Sequence, residues 1–155
     1  MTEQPESDLV SVLVRLSFAV QMILGRVGAD HHVSIAQARL VGILRDREPT
    51  MAALARYLML DKSSITGLVD RAERQGLVRR AADPEDGRSI RVLLSAHGRQ
   101  VATIFAREVD RQVTALAEDL TDAERGVLSE LAGRIVLKDA TARGLDLLAG
   151  WSGMV

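Results

Sequence analysis

The sequence predicts a mainly α-helical chain carrying one small β-hairpin, and three observations lead to that reading. Apolar residues recur at three- and four-residue steps, beginning with Leu9, Val12/Leu13, Leu16, Val20, Ile23 and Val27. Two short β-forming runs, Leu77–Ala81 and Ile90–Leu94, flank a turn-rich loop, Asp83–Ser89, with Pro84 and Gly87 at its corners. Capping chemistry punctuates the helix starts, with Ser34 and Gln37, then Thr121 and Glu124, in capping-box spacing.

Composition supports the same class and excludes several others. Aromatic residues make up 3% of the 155, so a core must be built from Leu, Val, Ile and Ala, which suits packed helices. A chain of this length is expected to form a single domain over residues 1–155 and to bury roughly 70% of its unfolded surface. The absence of cysteine removes disulfides, thiolate zinc sites and iron–sulfur clusters. No cofactor is implied. The acidic start, Met1 to Asp8, lacks the basic region of a secretory signal. The apolar stretch Leu9–Val27 is interrupted by Arg15, Ser17, Gln21 and Arg26, which predicts a buried amphipathic helix rather than a membrane span. A cytoplasmic protein with no membrane partner is expected.

The elements follow in order. The first helix should end near Gly28, and Asp30-His31-His32-Val33 should connect it to a second helix that opens at Ser34 and ends before Pro49. Thr50–Leu58 is a short third helix. Met59-Leu60 makes a turn, and Asp61 caps a fourth helix that stops at Gly76. The hairpin comes next. Ser95 then caps a fifth helix striped by Val101, Ile104/Phe105, Val109, Val113, Leu116 and Leu120, and Thr121 opens a sixth through Val127/Leu128, Leu131 and Ile135.

A short helix, a tight turn, a second helix and a hairpin is the layout of a winged helix-turn-helix, here residues 34–95. Residues 7–30 and 96–150 would form a helical dimerisation region. At 100° per residue, Ile65, Leu68, Val69 and Ala72 share one face of the fourth helix. The opposite face presents Ser63, Gly67, Asp70 and Arg74, flanked by Ser64, Thr66 and Arg71. These small or polar side chains would let the helix enter a major groove, and Lys62, Ser63 and Ser64 could offer first-turn amides and hydroxyls to phosphate. Asp70 opposes this role unless Arg74 or a wing arginine neutralises it, or unless it accepts from a cytosine amino group. In the loop, Asp86, Arg88, Ser89 and Arg91 form a candidate wing set, with Arg88 reaching a minor groove and Asp86 orienting its guanidinium. Net charge is −1, but Arg56–Arg99 carries +3 and the remainder −4. A mildly basic lobe on an acidic body fits contact with phosphates at one place only.

Leu68-Val69-Asp70-Arg71-Ala72-Glu73, Gly76-Leu77-Val78-Arg79-Arg80, Asp86-Gly87-Arg88, and Leu94-Ser95 with Gly98 together resemble the core of the MarR family of bacterial regulators. The motif-level similarity covers about forty residues. The resemblance implies a homodimer in which the first, fifth and sixth helices interlock beneath two winged lobes. It also implies a recognition helix in the major groove, Arg88 in the minor groove, and repression relieved by a small, often anionic or phenolic, effector. Gly67 departs from the family pattern, since many relatives carry Arg there.

Apolar residues of the first helix and of the tail, with Leu137, Leu145, Leu147, Leu148 and Trp151, independently suggest a partner such as a second subunit. Asp30-His31-His32 invites a metal, ligand or pH-sensing reading, but adjacent histidines diverge and only His97 remains elsewhere, so no metal site is expected. No nucleophile is paired with a base and no phosphate-binding Gly-rich loop is present, so an enzyme is not expected. The expected function is a ligand-responsive DNA-binding regulator, a homodimeric repressor on a near-palindromic operator. A winged-helix protein-interaction module that does not bind DNA is the alternative.

Overall fold

The computed structural model describes residues 8–145. Six helices and one antiparallel hairpin follow the chain as α1 (Leu9–Asp30), α2 (Ile35–Leu44), α3 (Met51–Leu58), α4 (Lys62–Arg74), β1 (Val78–Ala82), β2 (Ile90–Leu94), α5 (Ala96–Leu116) and α6 (Asp122–Ala142). The caps expected at Ser34, Asp61, Ser95 and Thr121 form, and Thr50, expected as the first residue of the third helix, is instead its cap. The Ser34–Gln37 and Thr121–Glu124 boxes close in both directions, and Thr50, Asp61 and Ser95 each accept from an amide in the first turn. These contacts satisfy amides that have no partner inside the helix.

α1 runs two residues past Gly28. That glycine is needed for approach rather than termination: Val33 folds back and donates its amide to the Gly28 carbonyl at 2.7 Å. A Cβ at Gly28 would lie 2.3 Å from the Val33 carbonyl oxygen. At the other end of the lobe, Gly76 adopts φ 71° and closes a Schellman turn on α4. The Gly76 amide donates to the Glu73 carbonyl, and the Leu77 amide donates to the Ala72 carbonyl, each at 2.9 Å. This commits Leu77 to the helix end, so β1 begins at Val78, one residue later than expected.

The hairpin pairs Val78 with Leu94, Arg80 with Val92 and Ala82 with Ile90. Its far edge is also attached, because Thr50 bridges Arg91 and the Val92 amide donates to Pro49 at 3.0 Å. The start of α3 is thereby tied to the wing. Leu40, Leu54, Ile65, Leu68, Val69 and Val92 fill the centre of the lobe. Val27 from α1 and Phe105 and Val109 from α5 close it from one side.

α1 departs from the expectation of burial. Only Ile23, Val27 and Gly28 of its residues are buried, and Leu9, Val10, Leu13, Leu16 and Phe18 lie exposed. By length and composition alone α1 would qualify as a membrane span. The sequence stripe was read correctly for its C-terminal half, where the lobe supplies a packing surface. Nothing among the described residues covers the N-terminal half. The α5 stripe divides similarly, with Phe105 and Val109 buried but Ile104 and Leu116 about half exposed, and α6 exposes Val127, Leu128, Leu131 and Ile135. Leu145 is buried within its own chain, where its amide donates to the Ala140 carbonyl, so it does not require a partner. Leu147, Leu148 and Trp151 lie outside the described residues.

A polar chain fastens α1 to α5. Arg26 donates to Gln112 at 2.9 Å, and Gln112 in turn donates to Glu108 at 2.8 Å. Arg111 also donates to Glu108, and its hydrogen bond, with that of Gln112, brings the Glu108 carboxyl down to about 2. A depressed carboxyl contributes stability above its ordinary value of 4.5 that is lost as pH falls toward the folded value. The melting-temperature gap between the native chain and Glu108→Gln should therefore be largest above pH 4.5 and close as pH approaches 2. Thermal melts across that range check it; a pH-independent gap would refute the assignment.

Candidate nucleic-acid interface

α4 buries Ile65, Leu68, Val69 and Ala72 against the lobe, as projection predicts. Lys62, Ser63, Ser64, Thr66, Arg71 and Arg74 are exposed, and Gly67 and Asp70 are partly buried. The buried face fixes the rotation of the helix, so the polar face is held outward beside the wing. Among the described residues the Lys62 ammonium and the Arg71 and Arg88 guanidinium groups have no protein partner. Arg74 donates only to the Asp70 main-chain carbonyl, at 3.3 Å.

Asp70 is neutralised by an arginine of the hairpin wing, one of the two alternatives expected, and not by Arg74. Arg80 in β1 donates to the Asp70 carboxylate at 2.6 Å and to Glu73 at 2.5 Å. Burial opposes the charge on Arg80, but the two acidic partners outweigh it and push the guanidinium pKa up. The pair of contacts bolts the hairpin to the recognition helix and takes two carboxylates out of the field that an approaching phosphate would meet. Asp70 thus has a structural engagement in place of the free base contact considered from sequence.

The first turn of α4 is also different from expectation. The Asp61 carboxylate accepts the Ser64 amide at 2.8 Å, the Ser63 hydroxyl at 2.7 Å and the Ser64 hydroxyl at 2.8 Å. These bonds, led by the Ser64 amide, hold its carboxyl far below the usual range. A fixed anion therefore occupies the place where phosphate was expected to bind. Ser63 and Ser64 are not free donors.

Three of the four wing candidates work inside the loop. Arg91 pairs with buried Asp83 at 3.0 Å, and Asp83 also accepts the Glu85 amide at 2.9 Å. The hydrogen bond from Arg91 is the main reason the Asp83 carboxyl lies below its ordinary value. Asp86 accepts the Arg88 amide at 3.1 Å and the Ser89 hydroxyl at 2.9 Å. It shapes the turn and does not orient the Arg88 guanidinium. The loop is braced from within, and Arg88 is left exposed on it with its charged end unclaimed.

A helix held outward by its own buried face, beside a braced loop with an exposed arginine, defines a winged helix-turn-helix. Residues 32–89 match the model of the MarR family. The winged lobe is thus similar to the MarR family over those residues. Over 91 residues the chain is 33% identical to a Thauera aromatica protein assigned to transcriptional regulation of the hcr operon, covering 59% of this chain and 55% of that relative. It is 25% identical over 142 residues to the HTH-type transcriptional regulator PecS of Dickeya dadantii, covering 86% of each chain. The chain thus spans about half the length of the first of these curated relatives. Among solved structures, MarR superposes with a TM-score of 0.77 at 21% identity, over 93% of this chain and 99% of that one. The transcriptional repressor CouR, bound to a 23-mer DNA duplex, gives 0.71 at 23% identity, over 83% and 92%. At these identities the likeness carries the fold.

Within the MarR-type lobe, two residues were not singled out from sequence. Arg80 was visible only as part of a motif, although period-two alternation places it on the same hairpin face as buried Val78, toward α4. Asp61 was recognised as a helix cap, but its grip on both serine hydroxyls needed the folded turn. His31 lies close enough to Glu108 for its charge to lower that carboxyl slightly. No group of three or more His, Asp or Glu converges on a metal position among the described residues.

Proposed function

We propose that the protein is a ligand-responsive DNA-binding transcription regulator, acting in the cytoplasm as a homodimeric repressor on a near-palindromic site. One observation carries the reading: α4 presents an exposed face with Lys62, Arg71 and Arg74 beside a braced wing whose Arg88 has no protein partner among the described residues. Packing does not require those charges, whereas phosphates and groove edges do.

The exposed apolar residues of α1, α5 and α6 support the dimer. They form far more uncovered apolar surface than scattered surface leucines would, and a second copy would supply the matching faces. Two recognition helices related by a two-fold axis would meet half-sites about one helical turn apart. An open groove of about 590 Å³ between α1 and the start of α2, lined by Phe18, Gln21, Met22, Gly25, Arg26 and Ile35, supports the effector. It sets one guanidinium against an apolar wall, a combination suited to an aromatic acid. Bound to a promoter, the dimer would act by occlusion, which a reporter placed behind the operator reads directly.

Two measurements test the DNA-binding reading. Affinity for duplex from the chain's own upstream region should fall steeply with salt, because neutralised phosphates release counterions. Arg88→Ala should cost about 1–3 kcal/mol in that affinity. Fluorescence anisotropy measures both, and unchanged binding by the variant would remove the wing from the interface.

A further inference from the structure

The hydroxyls on the outer face of α4 share a property that bears on which bases the helix accepts. Ser63 and Ser64 both donate their protons to the Asp61 carboxylate. Thr66 donates its own to the Lys62 main-chain carbonyl at 2.7 Å. An ionised carboxylate and a carbonyl only accept, so the direction of all three bonds is settled by chemistry. Each hydroxyl therefore turns only lone pairs outward.

Beside the serines the surface is notched. Gly67 leaves an open cavity of about 320 Å³ floored by Leu60 and Leu68 and rimmed by Ser63, Ser64 and Arg71. The Arg71 Nη1 atom would be 3.3 Å from a Cβ at Gly67, so its guanidinium lies across the space that a larger residue would fill. The notch combines two acceptor-only hydroxyls, one cationic donor and an apolar floor.

Resting on the DNA-binding reading above, we propose that Asp61 sets the reading polarity of the recognition helix. By taking the protons of Ser63 and Ser64, it leaves them as acceptors that select a base with an exocyclic amino group in the major groove, adenine N6 or cytosine N4. Guanine O6 and N7 and thymine O4 are acceptors and would face lone pairs without a shared proton. Adenine fits the notch better than cytosine, since its N7 sits beside the amino group and can accept a hydrogen bond from Arg71. Asp61 acts here as a positioning residue through the serines.

Selection of duplexes from a randomised pool by the full chain and by Asp61→Asn tests this. Asparagine caps a helix as well as aspartate does, so its Oδ1 keeps the Ser64 amide and the Ser63 hydroxyl while its Nδ2 donates to the Ser64 hydroxyl and frees that proton. Every base pair carries one amino-bearing base, so the selection is read as strand placement: at one step in each half-site the native chain should fix which strand bears the adenine or cytosine. Asp61→Asn should accept either orientation at that step and keep the other positions. In the selected site, replacing the adenine by purine, or the cytosine by 2-pyrimidinone, removes only the amino group. This should weaken native binding roughly three- to tenfold, the loss of one hydrogen bond, with less than a twofold effect on Asp61→Asn. The double variant Ser63→Ala, Ser64→Ala should likewise lose the preference. Uniform weakening across all positions by Asp61→Asn, or native binding that is unchanged by removal of the amino group at every contacted step, would overturn the polarity proposal. Enrichment of no duplex at all would instead overturn the DNA-binding reading on which it rests.

Discussion

Gly98→Ala is expected to destabilise the lobe by about 3 kcal/mol, although it adds a single methyl group. A Cβ at this position would lie 1.8 Å from the Leu77 carbonyl oxygen, 2.8 Å from its carbonyl carbon and 3.2 Å from its Cα. All three are backbone atoms, so no side chain can rotate away. Leu77 is held from both sides, its amide by Ala72 and its carbonyl by the Ser95 amide at 3.0 Å. Ser95 also donates its hydroxyl to the Gly76 carbonyl. Moving α5 away to admit the methyl would strain the Schellman turn that ends α4 and the first rung of the hairpin together. Gly42→Ala provides the comparison, because a Cβ there meets nothing within 4 Å and α2 should gain helix propensity. Denaturant unfolding of the two variants should give opposite signs. A Gly98→Ala variant within 1 kcal/mol of the native chain would contradict the close approach of α5 to the wing root.

Leu131→Glu should have the larger functional effect. Leu131 is 48% exposed in the single chain, on the outer surface of α6 with Val127, Leu128 and Ile135. A glutamate there is compatible with an isolated helix, so the fold of one chain should survive. Buried between two copies, the same carboxylate would lose much of its hydration. The expected product is a folded monomer, and linkage of two half-site contacts would be lost with it. Avidity of that kind is worth about 10²–10⁴ in affinity. Sedimentation would report the change in mass, circular dichroism the retained helices and anisotropy the lost binding. A dimer that persists with unchanged affinity would remove α6 from the interface.

The helix boundaries were legible in the sequence because their causes are local. Ser34 with Gln37 and Thr121 with Glu124 satisfy amides within four residues of themselves, and Gly76 supplies a positive φ that other residues adopt at a cost. The buried face of α4 was legible for a similar reason, since 3.6-residue periodicity is imposed by the helix itself. The candidate interface was legible as a set of residues but not as a set of roles. Asp70 and Asp86 each had a plausible sequence neighbour, Arg74 and Arg88, and Arg91 was placed in the wing set that would face DNA. In the fold they engage Arg80, the turn backbone and Asp83 respectively.

Sequence alone was thus sufficient to place six helices and a hairpin in order, to choose the outward face of α4 and to find Arg88 on the loop. The tertiary structure decided which charges remain available. Charge pairing depends on which side chains meet across elements, as Arg80 meets Asp70 across α4 and β1, and spacing along the chain does not encode that distance. It also decided that the apolar half of α1 and the outer face of α6 stand uncovered by the described residues. A periodic apolar stripe shows that burial is favourable, but the surface that accomplishes it comes from packing.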